Sequence, residues 1–169
     1  MIGAAGSIAG MPIPQFIVDL RARIGHDPLW LIGVTAVVIR DDEVLLVERA
    51  DNGVWAPVTG IVDPGEEPAD AAVREVAEET GVTAVPERLV WVHTTAPVIH
   101  VNGDHAQYLD HVFAMRWLAG EPHPADDEST DARWCALSAL PEMPERMRAR
   151  IAAALSADGQ TRFEWAGEP

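Results

Sequence analysis

The segment at residues 60–82, GIVDPGEEPADAAVREVAEETGV, constrains this chain more than any other part of it. Gly60 and Glu66 precede the run Arg-Glu-Val-Ala-Glu-Glu-Thr-Gly-Val at set distances. At residue frequencies of roughly 5–7%, a pattern with seven fixed and two aliphatic positions would occur by chance in a chain of this length with odds on the order of 10⁻⁷. The segment is therefore a specific pattern rather than a generic acidic run, and it predicts a loop followed by a helix.

The predicted helix lies between Pro68 and Gly81. Proline suits the first turn of a helix, where its missing N–H is not needed, and glycine suits the left-handed position just past a helix end. At ~100° per residue, Glu75, Glu78 and Glu79 fall within one turn on one side, where they are expected to face solvent and ligand. The other side is apolar and is expected to pack inward; it comprises Ala69, Ala72, Val73, Val76, Ala77 and Thr80.

The clustered glutamates need compensation, because like charges three and four residues apart destabilise a helix. Arg74 can offset one charge, and a divalent cation can offset the rest. Oxygen ligands favour hard cations, so Mg²⁺ is the first choice and Mn²⁺ the second. The carbonyl of Gly60 could also reach the metal, and the turn Asp63-Pro64-Gly65 would return Glu66 toward Arg74. A solvated acidic helix face is the generic alternative, which the upstream glycine and glutamate disfavour.

The segment resembles the signature of the Nudix hydrolases, a MutT-related family that cleaves a nucleoside diphosphate linked to another group. The resemblance extends from about residue 33 to residue 155. It implies an α/β fold, an α/β/α sandwich with a mixed β-sheet. It also implies a divalent metal held by Glu75, Glu78 and Glu79 that masks phosphate charge and activates water.

The proton acceptor varies among related enzymes between the signature helix and a distant loop. Glu75 is the first choice within the helix. Glu128 in the sequence ADDEST is the candidate outside it, and Glu121 is a weaker one. Arg74 would orient Glu66 or Glu75, or contact phosphate.

Substrate contacts are suggested by three further residues. Arg49 could touch phosphate or could equally lie at the surface. Trp55 lies just before the signature and Tyr108 just after the hairpin signal Asn102-Gly103. Either ring could contact the substrate, although a tryptophan is more often a core residue.

The substrate class is suggested by Pro97, which lies sixteen residues beyond Gly81 (97 − 81 = 16). This spacing resembles that of ADP-ribose hydrolases, although proline also commonly ends strands. The favoured substrate is ADP-ribose or a nucleotide sugar. The alternatives are a nucleoside triphosphate pyrophosphohydrolase (including oxidised nucleotides), a non-catalytic ligand-sensing module, and an isomerase on the same scaffold. The isomerase would need a further catalytic cysteine, and the chain has only Cys135.

The amino-acid composition limits the classes of binding partner that the protein can have. The 169 residues are 48% hydrophobic and carry a formal net charge of −15, which makes generic binding to nucleic acid or anionic membranes unfavourable. A nucleotide-type small molecule is the expected partner. One cysteine excludes an internal disulfide and a cysteine-based zinc site. The opening residues lack a basic segment, so a cytoplasmic location is expected by default, with translation beginning at Met1 or Met11.

Three parts are expected along the chain: an N-terminal extension and helix (1–32), a Nudix domain (33–157) and a C-terminal tail (158–169). The early helix, at 14–24, would either contact a second copy in a homodimer or pack on its own domain. Strands are predicted at 34–40, 44–48, 54–58, 89–94, 98–101, 105–117 and 133–137, and a last helix at 143–155.

Overall fold

The computed structural model of the protein describes residues 13–167. Within them a mixed β-sheet is covered by helices on both faces, which confirms the predicted α/β architecture. The choice between Met1 and Met11 lies outside the described residues. The elements are α1 (Gln15–Ile24), β1 (Leu29–Arg40), β2 (Glu43–Arg49), β3 (Trp55–Ala56), β4 (Val58–Ile61), α2 (Pro68–Thr80), β5 (Thr83–Thr94), β6 (Val98–Ile99), β7 (His105–Ala119), β8 (Ser129–Ala136), α3 (Glu145–Leu155) and β9 (Arg162–Phe163).

The centre of the sheet is a parallel pair, β1 and β7. Their register runs from Leu29 beside Ala106 to Ile39 beside Arg116. The β-branched run of β1 is buried on both sides, as expected for a strand covered by helices on both faces. Val34, Ala36 and Val38 pack on the α2 side, and Val37 packs on the α3 side.

The sheet divides on the other side of β1. β1 and β2 pair only next to their connecting turn, at Ile39 with Val44 and Arg40 with Glu43. β2 then pairs with β8, and β4 takes the place beside the first half of β1, with Val34 opposite Gly60. Arg49, at the end of β2, and Gly60, in β4, therefore lie on two separate branches of the sheet.

The early helix packs on its own domain. Ile17 of α1 is buried against Leu31 and Ala106. Arg21 donates a hydrogen bond of 2.7 Å to the carbonyl of His105, which ties the end of α1 to β7. These contacts support the second of the two expectations for this helix, and homodimerisation stays a prediction.

Several element boundaries differ from the predictions. β1, β5 and β8 begin four to six residues earlier than predicted, because their pairing with β7 and β2 continues past the apolar runs. The single strand predicted at 54–58 is two short strands separated by Pro57, which has no N–H to donate to a ladder. The predicted hairpin around Asn102-Gly103 is confirmed by the pairing of β6 with β7. None of the helices within residues 13–167 is long and apolar enough to cross a membrane.

Candidate active site

The loop between β4 and α2 brings Gly60 against the signature helix. A Cβ atom at this position would lie 2.2 Å from Cδ of Glu75, so a glycine is needed for the carboxylate to occupy its place. Within the same loop, the backbone N–H of Asp63 donates to Glu66 Oε2 at 3.1 Å. The turn thereby returns Glu66 toward the helix.

Arg74 holds three of the signature glutamates together. Its Nε and Nη2 donate to the two carboxylate oxygens of Glu66, each at 2.9 Å. Its Nη1 donates to Glu75 Oε1 at 2.9 Å and to Glu78 Oε2 at 3.0 Å, and its Nη2 also reaches the carbonyl of Ile61. The Arg74 hydrogen bonds keep the pKa of Glu66 below its ordinary value. In this arrangement the guanidinium orients carboxylates rather than pointing away toward a phosphate.

Glu79 is buried, with 4% of its surface exposed, so the expectation that it faces solvent is wrong. The reason is the loop 120–128, which folds over the end of α2. The N–H of Ala125 donates to the carbonyl of Glu79 at 3.0 Å, and the N–H of His123 donates to the carbonyl of Thr80 at 3.1 Å. Burial, followed by the nearby carboxylates of Glu128, Glu75 and Asp126, raises the pKa of Glu79 to about 9.

The exposure of the other α2 residues agrees only in part with the predicted solvent-facing and inward-facing sides of the helix. The Glu78 side chain is 57% exposed, as expected for a residue facing solvent. Ala77 is exposed, although the wheel placed it on the inward side, and Ala71 is fully buried instead. The buried stripe is thus rotated toward Glu79, because the covering loop adds a second surface beside the sheet.

Glu128 and Arg49 also lie close to the buried carboxylate of Glu79, because their charges act on it. The carbonyl of Glu128 accepts a hydrogen bond of 2.8 Å from the N–H of Ala50, which places the loop beside the end of β2. Burial and the charges of Asp126 and Glu75 raise the pKa of Glu128 to about 7. Arg49 lies close enough for its charge to act on both Glu79 and Glu128, and its Nη2 forms an ion pair of 2.9 Å with Asp51.

The structure therefore brings together Gly60, Arg74, Glu75, Glu79 and Glu128, with Arg49 at the edge of the group. Sequence reasoning missed Asp126, whose charge acts on two of these carboxyls. The run Asp126-Asp127-Glu128 could have indicated it, since its members share one short acidic loop.

Three other candidates lie elsewhere. Trp55 is partly buried against the cluster beneath α3, and the guanidinium of Arg133 stacks over its ring at 4.2 Å. Glu121 is exposed and pairs with Arg40 at 3.1 Å, next to the turn between β1 and β2. Cys135 is buried in the cluster beneath α3, where a thiol cannot serve an isomerase reaction at the carboxylates.

Tyr108 lies on the face of the sheet opposite α2. Its hydroxyl is 2.9 Å from Nε2 of His100, and its ring packs beside Ile61 and α1. It is separated from the carboxylates by β4 and belongs to a different cavity.

The donor chemistry of the group fits a hard divalent cation. Glu75, Glu78, Glu79 and Glu128 offer oxygen atoms only, the type of ligand that Mg²⁺ and Mn²⁺ take. Burial raises the pKa values of Glu79 and Glu128, and the neighbouring carboxylates raise them further. Among residues 13–167, no group of three or more carboxylate, imidazole or thiol side chains already stands in a metal-binding arrangement. Arg74 hydrogen-bonds Glu75 and Glu78 instead.

Comparison with known proteins identifies the family. The sequence profile of the NUDIX domain matches residues 30–156, more than half of the chain. The chain belongs to the Nudix family. The match agrees with the extent of 33 to 155 expected from the sequence, and it confirms the predicted Nudix resemblance.

Curated relatives match part of this chain, and the chain covers less than half of their length. The NAD-capped RNA hydrolase NudC of Pseudomonas aeruginosa is 38% identical over 111 residues, which are 64% of this chain and 37% of that protein. A MutT-like protein of Streptomyces ambofaciens is 37% identical over 75 residues, 43% of this chain and 49% of that protein. The chain thus spans about 37–42% of the length of the NudC relatives that it matches.

Solved structures share the Nudix fold. A UDP-X diphosphatase superposes with a TM-score of 0.62 at 20% identity, covering 88% of this chain and 73% of that one. At this identity the likeness concerns the fold alone. An ADP-ribose pyrophosphatase from Streptococcus suis gives a TM-score of 0.58 at 25% identity, covering 79% of this chain and 98% of that one.

Proposed function

We propose that this Nudix chain is a divalent-cation-dependent hydrolase that cleaves the pyrophosphate bond of a nucleoside diphosphate derivative. The observation that carries the proposal is the meeting of Glu75, Glu79 and Glu128 beside Gly60, on a scaffold whose relatives are hydrolases by name. A NAD-capped RNA hydrolase and an ADP-ribose pyrophosphatase both act, by their names, on a nucleoside diphosphate joined to a second group.

The metal would be held by the carbonyl of Gly60 and by the carboxylates of Glu75, Glu78 and Glu79. Mg²⁺ is the proposed ion and Mn²⁺ a possible substitute, because every donor is oxygen. When bound, the ion supplies charge neutralisation for the phosphate oxygens and a lowered pKa for a coordinated water. Glu66 takes part indirectly, since its carboxylate holds Arg74 in the orientation that places the ligands.

The protein's own groups divide the remaining work. Glu128 is the favoured proton acceptor, because Glu75 Oε1 is already hydrogen-bonded to Arg74, whereas Glu128 lies close enough for its charge to act on Glu79. Glu75 remains the alternative within the helix. Arg49, on the second branch of the sheet and near Glu79 and Glu128, would pair with a phosphate of the substrate.

ADP-ribose or a nucleotide sugar is the proposed substrate, with a nucleoside triphosphate as the alternative. The Streptococcus suis pyrophosphatase supports the first class. Pro97 lies exposed between β5 and β6 and is not part of the carboxylate group, so the substrate class depends on the relative rather than on this residue.

The test is turnover of a panel containing ADP-ribose, nucleotide sugars, NAD, dinucleoside polyphosphates and nucleoside triphosphates, with products identified by mass. We expect hydrolysis with Mg²⁺, none with EDTA, and recovery when Mg²⁺ is restored. Activity that survives exhaustive chelation contradicts the metal mechanism. A kcat/KM for triphosphates at least about tenfold above that for ADP-ribose would reverse the substrate order, and no turnover at all would favour a ligand-sensing module.

Variants test the assigned roles. We expect Glu78→Gln, Glu79→Gln and Glu128→Gln each to lower kcat by at least about 10²-fold, the scale of losing an acid–base or electrostatic group. Glu121→Gln is the matched control, because it changes an exposed glutamate of the same loop that pairs with Arg40. If Glu128→Gln keeps a normal kcat while Glu75→Gln does not, the proton acceptor lies on the helix.

A further inference from the structure

A second concavity lies between α1, the β6–β7 hairpin and the end of β4. Its floor is apolar and buried, since Ile17, Leu31 and Ala106 are 5%, 7% and 4% exposed. Tyr108 contributes an aromatic wall, with its hydroxyl held by His100. The cavity holds ≈100 Å³, well below the ~300–1,000 Å³ of pockets that enclose whole drug-sized ligands. It is therefore sized for a single ring system.

The cavity and the carboxylate group lie on opposite faces of the sheet, with β4 between them. Gly60 and Ile61 are neighbours in β4, so they point to opposite faces of the sheet. Gly60 faces Glu75, and Ile61 lines the cavity. Among the described strands β4 pairs only with β1, so a molecule whose phosphates lie at the carboxylates would reach the cavity around the other edge of β4.

The end of β2, on the second branch of the sheet, also lies near both the cavity and the carboxylate group. Asp51 lines the cavity, and its ion-pair partner Arg49 lies near Glu79 and Glu128. The electrostatic influence of Arg49 also extends to His100, within the cavity wall. One ion pair thus stands between the two sites, at the point where β2 and β4 diverge.

The lining favours a flat heteroaromatic ring over the other groups of a nucleotide. Phosphate is disfavoured, because the carboxylates of Asp51 and Asp104 both line the cavity against a single guanidinium, that of Arg21. Arg21 is already engaged, since it pairs with Asp104 at 3.4 Å and donates to the carbonyl of His105 at 2.7 Å. A sugar is disfavoured, because hydroxyl groups over an apolar floor lose their hydrogen bonds. A base buries its ring on the floor and directs its amino or ring N–H groups to the carboxylates at the rim.

We propose that this cavity binds the nucleobase of the substrate, which makes α1 a part of the specificity site. The inference builds on the proposed function, but the binding it describes can be measured without hydrolysis.

The test uses uncharged nucleosides and metal-free protein, so that neither turnover nor phosphate repulsion intervenes. Adenosine, guanosine, cytidine and uridine are titrated into ¹⁵N-labelled protein in EDTA. We expect at least one of them to shift the amide signals of Leu31, Ala106 and Tyr108. Ala106→Leu fills the floor and should weaken this binding by at least about tenfold.

Ala114→Leu is the matched control. Ala114 lies on the same strand and the same face as Ala106, but it packs in the cluster beneath α3. The two variants add the same volume to a buried position, and only Ala106→Leu should weaken nucleoside binding. If Ala106→Leu does not fold, Ala106→Val and Tyr108→Leu replace it.

Two results would overturn the proposal: no nucleoside shifts the cavity signals up to its solubility limit, or both leucine variants bind nucleosides equally well. Failure of the proposed function is a different result, because it shows as absent turnover of the whole panel while nucleosides still bind. With turnover present, Ala106→Leu should raise KM at nearly constant kcat.

Discussion

A buried carboxyl at Glu79 couples the chemistry of the site to the stability of the fold. Its ordinary pKa is 4.5 and its folded-state pKa is about 9. The folded protein therefore holds a proton between these values that the unfolded chain releases. It follows that the metal-free protein loses stability as pH rises through this window, by up to ~1.4 kcal/mol per pH unit from this one group.

Glu79→Gln should remove this contribution. We expect its free energy of unfolding, measured by urea denaturation in EDTA from pH 5 to pH 8, to depend less on pH than that of the parent, and to exceed it at pH 8. Glu78→Gln is the control, because the Glu78 side chain is 57% exposed. Parallel pH profiles for parent and Glu79→Gln would show that Glu79 is not a buried, protonated carboxyl.

The close contact between Gly60 and Glu75 leads to a second prediction for a single residue. In Gly60→Ala the new methyl would meet Cδ of Glu75 at 2.2 Å and displace it from Arg74. We expect kcat to fall at least about tenfold, because misplacement by 1 Å is costly for a positioned group. Gly33→Ala is the comparison, since its methyl makes an ordinary contact of 3.5 Å with Tyr108. Normal kinetics in Gly60→Ala would remove Glu75 from the ligand set.

At the scale of elements, the join between α2 and the loop 120–128 determines where Glu79 and Glu128 meet. Gly81 ends α2 at φ +68°, and a Cβ there would lie 2.3 Å from Cε1 of His123. Gly81→Ala therefore adds a steric conflict to the cost of a left-handed alanine, which is roughly 1–2 kcal/mol.

Gly53→Ala isolates the backbone part of that cost. Gly53 has φ +67°, and no atom lies within 4 Å of the position that an alanine methyl would take there. In urea denaturation we expect Gly81→Ala to be destabilised more than Gly53→Ala, and the excess to measure the contact between loop and helix. Equal losses would mean that His123 moves aside freely and that the loop is not held by this contact.

Local signals predicted the helix and the hairpins, and non-local pairing accounts for what they missed. Pro68 and Gly81 bound α2 as expected, because proline at a helix start and glycine at its end act through their immediate neighbours. The burial of Glu79 depends on a loop some forty residues further along the chain, which no helical wheel contains. The early start of β5 depends on β7 in the same way.

The candidate site likewise contains residues that local sequence could predict and residues whose position depends on distant parts of the chain. The glutamates of α2, Arg74 and Gly60 share one signature segment, so their mutual contacts could be anticipated from spacing. Trp55 was misplaced because a single strand residue can face either side of a sheet, and its side is decided by α3. Tyr108 was suggested by its hairpin, but its cavity exists only because α1 folds back over β1.

At the scale of the whole molecule, which carries a net charge of −15, a bound divalent cation should stabilise the folded protein against unfolding. At 100 times its Kd, a bound ion adds about 2.7 kcal/mol, which for a chain of this size raises Tm by roughly 5–10 °C. We expect Mg²⁺ to produce this shift and NaCl of equal ionic strength to produce less, because screening is not site-specific. Glu79→Gln should lose the difference between the two salts, and identical shifts in parent protein would indicate screening alone.

The parallel pairing of β1 with β7 also determines the order in which the nascent chain can fold during synthesis. Leu29 meets Ala106, which the ribosome adds 77 residues later (106 − 29 = 77). At roughly 5–20 residues per second, β1 waits about 4–15 s for its partner. During that interval its apolar run lacks the strand beside it, so chaperones and competing chains have access to it. Pulse proteolysis of stalled nascent chains should accordingly show protection of β1 only after β7 has left the exit tunnel.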